Sequence, residues 1–283
     1  MYWTLQVIKI DINTEILSVK IDIDEGDFIA LSGKSGSGKT TLLRVLAGLE
    51  SAKGEIKVGD NFWLKNKINL APQKRDIGFV FQDYALFENM SIVKNLLYVN
   101  HDLELAKYLL DITELSNLKN RLPSTLSGGQ KQRVALCRAM MSRPKLLLMD
   151  EPLSALDAQM RSRLQGELMT LHREFKTTTI MVSHDPSEIY KLCSRVIVLE
   201  DGKILNDGTP KDILLKTSGS QKFSFVGEVL EIKKLDAIYI AIIAIGQQLV
   251  EVVLSENEAQ GLRVSQVVQV STKAFAPMLL SLE

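Results

Sequence analysis

The sequence predicts an α/β protein with a mostly parallel core sheet, an antiparallel β subdomain and a helical subdomain, followed by a small β-barrel domain. Three observations carry this reading. Short apolar runs alternate with segments of helical period, a glycine-rich loop sits between a strand and a helix, and the pattern changes to closely spaced strands past residue 217. At 283 residues the chain exceeds one small core, so two domains are expected, 1–217 and 218–283.

Alternating apolar positions from Trp3 to Ile10 and from Ile16 to Ile23 read as an antiparallel pair joined by the polar turn Asp11 to Glu15. The run Phe28 to Leu31 is short and uncharged, as a strand buried on both faces should be, and it feeds the glycine loop. Thr41 to Ala47 is helical in composition and stops at Gly48. Leu103, Ala106, Lys107 and Leu110 recur at helical spacing within a helical insertion of about 84–143. Lys145 to Met149, Thr178 to Val182 and Val196 to Leu199 are further buried strands. Between the first two of these, Met160, Leu164, Leu168, Leu171 and Phe175 mark the apolar stripe of a helix.

Thr217-Ser218-Gly219-Ser220 has the small, polar composition of a linker. Beyond it Val226 to Ile232, Ala237 to Ile245, Leu249 to Leu254 and Val267 to Ser271 are β-rich, and Glu256 to Gly261 supplies a helical turn between strands. The most apolar of these stretches, Ile238 to Leu254, is broken by Gly246, Gln247, Gln248 and Glu251, so it reads as strands and falls short of an uninterrupted membrane span.

The loop Gly33-Lys34-Ser35-Gly36-Ser37-Gly38-Lys39-Thr40 satisfies the full phosphate-loop spacing. Its glycines let backbone amides converge on phosphate without a Cβ in the way, and the helix that follows presents its positive end to the same anion. Lys39 adds a point charge for the β and γ phosphates, Thr40 offers a hydroxyl to Mg2+, and Thr41 belongs to the same phosphate set. Leu146 to Met149 delivers Asp150 and Glu151 to the end of a buried strand. Asp150 is expected to orient magnesium through water, and Glu151 to polarise the attacking water as general base. Leu126-Ser127-Gly128-Gly129-Gln130 opens a second anion-binding helix with Ser127 as its cap. One phosphate loop already serves one ATP, so a second phosphate reader makes sense where it completes the site of a second copy.

Residues 26 to 217 closely resemble the ATP-binding subunits of ABC transporters, whose signature motif reads as Leu126 to Gln130 stands here. The resemblance implies a P-loop NTPase fold of the ABC cassette type that closes head to tail with a second copy of itself. Ser127 and Gly129 of one subunit then touch the γ phosphate held by the other. It also implies that Gln82 reaches magnesium and the water and senses the transmembrane partner, that Ser154-Ala155-Leu156-Asp157 communicates across the dimer, and that His184 contacts the γ phosphate. Members of the family place an aromatic residue near the end of the first strand to stack on adenine. None stands between Ile10 and Thr14, and Tyr2 and Trp3 come too early, so the phosphates are better assigned than the base.

The run Tyr84 to Met90 puts apolar side chains beside Gln82, where family members receive a short helix of the transmembrane permease; the competing expectation is that Leu86 and Phe87 pack under the helical insertion. The tail from about Val226 to Pro277 resembles the small molybdate-binding (Mop or TOBE) type of domain through Gly227-Glu228-Val229, Ser255 to Ala259, Leu262, and Val267 to Ala274. That resemblance implies import of molybdate, with sulfate, polyamine and iron as alternatives, and it leaves open whether the tail binds an oxyanion or is structural, because Phe275 replaces the usual serine. A solute-binding protein is an indirect partner. With 34 basic and 34 acidic residues the formal net charge is zero, so no nucleic acid is expected. No secretory signal is visible, and Cys137 and Cys193 lie in apolar patterns that suit buried thiols. The expected location is the cytoplasmic face of the plasma membrane, peripherally bound.

Overall fold

The structure, a computed structural model, describes residues 7–154, 156–214, 221–235, 238–245 and 248–273. It divides into two compact units, Met1–Leu215 and Lys216–Glu283. In chain order the first unit runs β1 (Val7–Asn13), β2 (Ser18–Asp24), β3 (Phe28–Ser32), α1 (Lys39–Ala47), β4 (Lys53–Val58), β5 (Asn61–Lys65), β6 (Ile68–Asn69) and β7 (Ile77–Val80). Helices α2 (Ile92–Leu97), α3 (Leu103–Ile112) and α4 (Gly128–Met140) follow, then β8 (Leu146–Asp150), α5 (Ala158–Phe175), β9 (Thr178–Val182), α6 (Pro186–Leu192), β10 (Arg195–Glu200), β11 (Lys203–Gly208) and α7 (Pro210–Leu214).

The central sheet has the order β11-β10-β3-β9-β8-β7, and all its pairings are parallel except β10 with β11. Its strands alternate between two hydrophobic cores. Phe28 and Ala30 of β3, Leu147 and Met149 of β8, and Met181 of β9 pack with the helices from α2 to α6. Ile29, Leu31, Leu146, Leu148, Ile180 and Val182 face the other way, against α1 and a second sheet of order β2-β1-β4-β5-β6. Both faces are covered, which is why the strands read as unbroken apolar runs. In β1 and β2 of this second sheet only alternate residues are buried, such as Ile8, Ile10 and Ile12 of β1, so these strands read as alternating.

Two boundaries differ from expectation: β1 runs on past Ile10, and β2 begins at Ser18 rather than at Ile16. The polar stretch beginning at Asp11 is not yet a turn: β1 continues to Asn13, because Ile12 is a core residue and Asp11 lies across from Lys20 with their charges 3.7 Å apart. The start expected at Trp3 lies outside the described residues. Strands β4 to β7, unrecognised in the sequence, fill the segment between α1 and the helical insertion; Lys53–Val58 carries three charged residues on a strand whose inward positions are only Ile56 and Val58. On α5 the stripe is buried at Leu164, Leu168 and Leu171, whereas Met160 is exposed and lies against Gly129, where a Cβ would stand 2.8 Å from its sulfur.

Helix α1 ends where Gly48 enters the left-handed region at φ 75°. Its last carbonyls are then capped by a side chain from far along the chain. Arg75 is buried and donates from Nη1 to the carbonyls of Val45 and Leu46, both at 2.7 Å, from Nε to Leu70 at 3.0 Å and from Nη2 to Asn69 Oδ1 at 3.1 Å. A cation on the carbonyl end of the helix complements its dipole and satisfies acceptors that the helix leaves open. Cys137 and Cys193 are free, and burial pushes both thiols up to about 12.

The second unit consists of β12 (Gln221–Leu235), β13 (Ile238–Ile245), β14 (Gln248–Leu254), the short helix α8 (Glu256–Gln260) and β15 (Val267–Lys273), with an antiparallel sheet of order β14-β13-β12-β15. Its core is Val229, Ala241, Ile243, Leu254 and Ala259. The residues that carried the resemblance of this tail have structural work here. A Cβ at Gly227 would stand 2.6 Å from Cγ2 of Ile243, so the glycine lets β12 and β13 approach. Ser255 and Glu258 form a capping box at the start of α8, Ala259 enters the core and Leu262 packs against it. The linker at Thr217 to Ser220 and the residues Ala274 and Phe275 lie outside the described residues.

Candidate functional site

Four parallel strands end at the same edge of the central sheet. After β3 comes the loop 33–38, β8 ends in Asp150 and is followed by Glu151, after β9 come Ser183 and His184, and after β7 comes Gln82. This is the edge at which open α/β sheets place their ligands. Gly33, Ser35, Gly36, Gly38, Lys39, Thr40, Thr41, Gln82, Glu151 and His184, residues separated by up to 151 positions, line one cavity of about 560 Å3.

The loop is shaped for an anion. Gly33, Gly36 and Gly38 all have positive φ, and a Cβ on Gly33 would stand 2.1 Å from the carbonyl oxygen of Leu199. Gly38 caps α1 without any side-chain hydrogen bond, so the first-turn amides of the helix are left to an external acceptor. Lys39 Nζ donates to the carbonyls of Gly33 at 2.9 Å and Lys34 at 2.8 Å, which holds its charge inside the loop. The Lys34 side chain turns away to Glu200 at 3.0 Å and contributes its backbone only, while Ser37 is buried and its hydroxyl has no partner.

Thr40 Oγ1 donates to Asp150 Oδ1 at 3.3 Å. Burial of Asp150 holds its carboxyl above the usual range, opposed by the Thr40 hydroxyl. Glu151 adopts φ 46°, a left-handed conformation that bends the chain directly after β8, and its Oε1 is 3.9 Å from Nδ1 of His184. Behind them Arg161 of α5 reaches Leu156 O at 3.1 Å, Asp185 Oδ2 at 3.3 Å and Glu188 Oε1 at 3.3 Å, joining the segment after Glu151 to the one after His184. Ala155 of the segment Ser154 to Asp157 lies outside the described residues.

Ser127, Gly128, Gly129 and Gln130 do not line this cavity. They form the start of α4, where Ser127 accepts from the Gln130 amide at 3.4 Å and the Gln130 side chain accepts from the Ser127 amide at 3.0 Å. Gly129 instead borders a separate cavity with Arg133, Leu156 and Met160. One chain therefore presents the phosphate loop and the second glycine-rich helix start at different places.

The cavity has one lining residue that sequence reasoning passed over. Ile16 is 60% exposed although large and apolar. Thr14 Oγ1 accepts from the amides of Ile16 at 3.3 Å and Leu17 at 2.9 Å, which fixes the turn that presents it. Gly202 secures that turn to the phosphate loop: its amide donates to Ser37 O at 3.3 Å, and its carbonyl accepts from Ser18 N at 2.8 Å. A Cβ on Gly202 would collide with Ile16 O at 1.9 Å. Ile16 also borders a second cavity of about 750 Å3 with Asn13, Thr14, Glu50 and Lys53. No local pattern marks such a residue, because its role comes from contacts across nearly 190 positions of chain.

Residues 16–154 match the family described as ABC transporter, and this span includes the phosphate loop, Gln82, the Ser127 helix start, Asp150 and Glu151. That span is an ABC transporter cassette by this match. Its fold is that of an ABC ATPase. The chain is 45% identical over 223 residues to a sulfate/thiosulfate import ATP-binding protein, CysA, of Mesorhizobium japonicum, covering 74% of this chain and 63% of that protein. It is 42% identical over 220 residues to a spermidine/putrescine import ATP-binding protein, PotA, of Bacillus anthracis, covering 74% of this chain and 66% of that protein. The chain thus spans just under two thirds of the length of these curated relatives.

Among solved structures, the ABC cassette is similar to the ATP-binding cassette MJ0796 in a dimeric post-hydrolysis state bound to ADP and Pi, with 28% identity, a TM-score of 0.61, and coverage of 72% of this chain and 96% of that one. It is also similar to cbiO1 of Clostridium perfringens, part of the ABC transporter complex cbiONQ, with 25% identity, a TM-score of 0.67, and coverage of 75% and 92%. Among the described residues no helix is long and apolar enough to cross a membrane. The molybdate expectation carried by the tail finds no support in these relatives, which are named for sulfate/thiosulfate and for polyamines.

Proposed function

We propose that this chain is the ATP-hydrolysing subunit of an importer and works as a head-to-tail pair bound to permease subunits at the cytoplasmic face of the membrane. The observation that carries the proposal is the division of the site. Phosphate loop, Glu151, Gln82 and His184 surround one cavity, with Asp150 behind Thr40, while Ser127 to Gln130 stands outside it on the same chain. A second copy, placed so that its Ser127 and Gly129 face the first copy's phosphate loop, closes two such sites at once. The similarity to a cassette solved as a dimer with ADP and Pi supports this arrangement.

The residues divide the chemistry as follows. Lys39 and the first-turn amides of α1 bind the β and γ phosphates. Glu151 accepts a proton from the attacking water; the water oxygen bonds to the γ phosphorus, the bond from that phosphorus to the bridging oxygen breaks, and ADP and inorganic phosphate result. His184, beside Glu151, donates to a γ-phosphate oxygen, and Gln82 helps position the water. Thr40, Asp150 and Gln82 supply oxygen donors only, which fits magnesium with several retained waters. That ion, when bound, neutralises charge on the β and γ oxygens. Its charge would also offset the cost of keeping Asp150 ionised where it is buried.

Ile16 takes the place of a stacking aromatic ring. An aliphatic side chain gives a purine a dispersive contact without the ring-on-ring preference of an aromatic, so it grips the base loosely. ATP and GTP should therefore bind with affinities within about tenfold of each other, and Ile16→Tyr should tighten ATP by about threefold to tenfold, the range of one aromatic contact. Competition of both nucleotides against a fluorescent ATP analogue measures this; a strong ATP preference in the unaltered chain would show that another group reads the base.

The transported solute falls among those handled by the relatives, an oxyanion of the sulfate class or a polyamine, selected by the membrane and solute-binding subunits. In the docking run, Leu86 packs against the helical core and the Phe87 ring meets that of Tyr98 in a tilted contact at 4.6 Å, which leaves Gln82, Ala85, Glu88 and Asn89 exposed for the permease. Purifying the tagged chain from native membranes should bring down a multi-spanning permease, and sulfate or spermidine should raise the ATPase rate of that complex when its solute-binding protein is present. Recovery of the chain entirely free of membrane protein, with full basal hydrolysis, would refute the importer reading.

A further inference from the structure

The segment that carries Gln82 into the site holds two consecutive non-glycine residues in the left-handed region, Tyr84 at φ 64° and Ala85 at φ 46°. Side chains rarely adopt this conformation, and neighbouring pairs persist only where surrounding contacts impose it. The contacts come from α4. Arg138 donates from Nη1 to the carbonyl of Ala85 at 2.7 Å and from Nη2 to that of Tyr84 at 3.2 Å. Its guanidinium also lies 5.4 Å from the ring centre of Phe87. At the other end of the same helix, a Cβ on Gly128 would stand 3.4 Å from the Tyr84 hydroxyl.

Downstream, Asn95 is buried and closes the segment from below. Its Oδ1 accepts from the Phe87 amide at 2.9 Å, and its Nδ2 donates to the carbonyls of Phe87 and Met90, both at 3.1 Å. The turn is thus anchored at Phe87 and held in its strained form by one side chain of the helix that begins with Ser127 and Gly128. We infer that Arg138 is a positioning residue that locks the Tyr84–Ala85 turn, so that Gln82 keeps its place in the nucleotide cavity and moves as one body with α4. Its link to catalysis rests on the nucleotide reading above; the clamp itself does not. A planar guanidinium suits this role because it can bridge two adjacent carbonyls, which an ammonium point charge does poorly.

Amide hydrogen exchange of the full chain tests the clamp without any turnover. Arg138→Ala should speed exchange in residues 83–88 by about tenfold or more and leave residues 33–47 unchanged. Adding Ala85→Gly should return it toward the unaltered rate, since glycine holds the left-handed form without strain. In steady-state assays kcat for ATP should fall about fivefold or more, with KM within about twofold, and Arg138→Lys should fall between. If Arg138→Ala does not fold, the lysine variant with and without Ala85→Gly carries the same comparison. Unchanged exchange in 83–88 overturns the clamp, and faster exchange with an unaltered kcat overturns its role in positioning Gln82. An unaltered chain that hydrolyses no ATP, yet shows the expected exchange pattern, would refute the nucleotide reading alone.

Discussion

Glu151→Gln should lower the ATP hydrolysis rate by about 100-fold or more and convert the chain in saturating ATP from monomer to a stable dimer. The amide keeps the shape of the carboxylate and so leaves the bend at φ 46° and the neighbourhood of His184 in place. What it removes is the proton acceptor, and general-base catalysis contributes roughly two to four orders of magnitude. Each tenfold loss corresponds to about 1.4 kcal/mol of transition-state stabilisation. Binding energy gathered by the phosphate loop and by the second copy's Ser127 helix is then never released by hydrolysis, so the closed pair accumulates. Phosphate release at saturating ATP and light scattering on the same sample measure the two effects. A variant that hydrolyses no ATP and stays monomeric with ATP bound would exclude the shared-site arrangement, whereas undiminished hydrolysis would remove Glu151 from its role.

Lys39→Ala should act one step earlier and weaken ATP binding itself by about 10-fold to 100-fold, the range expected when a hydrogen bond to a charged group is lost. The ammonium does two things at once. It bridges the carbonyls of Gly33 and Lys34, at 2.9 and 2.8 Å, and it places positive charge within the curl of amides that receives the phosphates. Removing it leaves both carbonyls facing the site of an anion, so repulsion adds to the lost attraction. Lys39→Arg should recover little, because a planar fork replaces the compact ammonium that the Gly33 and Lys34 carbonyls hold in place. Calorimetric titration with ATP measures the affinity, and AMP, which lacks the β and γ phosphates, should bind the variant and the unaltered chain alike. Equal ATP affinity in both proteins would contradict the role given to Lys39.

The parts of this protein that could be read from residue order are those whose physical cause is local. Phe28 to Leu31 is apolar at every position because both faces of β3 are buried, and Gly33 to Thr40 carries glycines at the positions where the backbone turns through positive φ. The helix of Leu164, Leu168 and Leu171, the stop at Gly48 and the capping box at Ser127 are likewise written within a few residues of where they act. Strand β4 escaped notice because charged residues stand around its inward positions Ile56 and Val58 and break up the apolar signal, and β6 because it is only two residues long.

Sequence by itself therefore determined the cassette fold, the phosphate loop and the residue types available for hydrolysis, since spacing and hydrophobic period encode strand, loop and helix directly. Tertiary structure alone decided which of those residues meet. The parallel order β3-β9-β8-β7 gathers Lys39, His184, Glu151 and Gln82 at one edge and leaves Ser127 to Gln130 apart. It also decided the roles of Arg75, Ile16 and Arg138, each acting on backbone or cavity tens to nearly two hundred residues away. The reason is the range of the forces involved. Periodicity and turn preference act between near neighbours in the chain, whereas a hydrogen bond or a shared cavity depends only on proximity in space, which folding creates and residue order does not display.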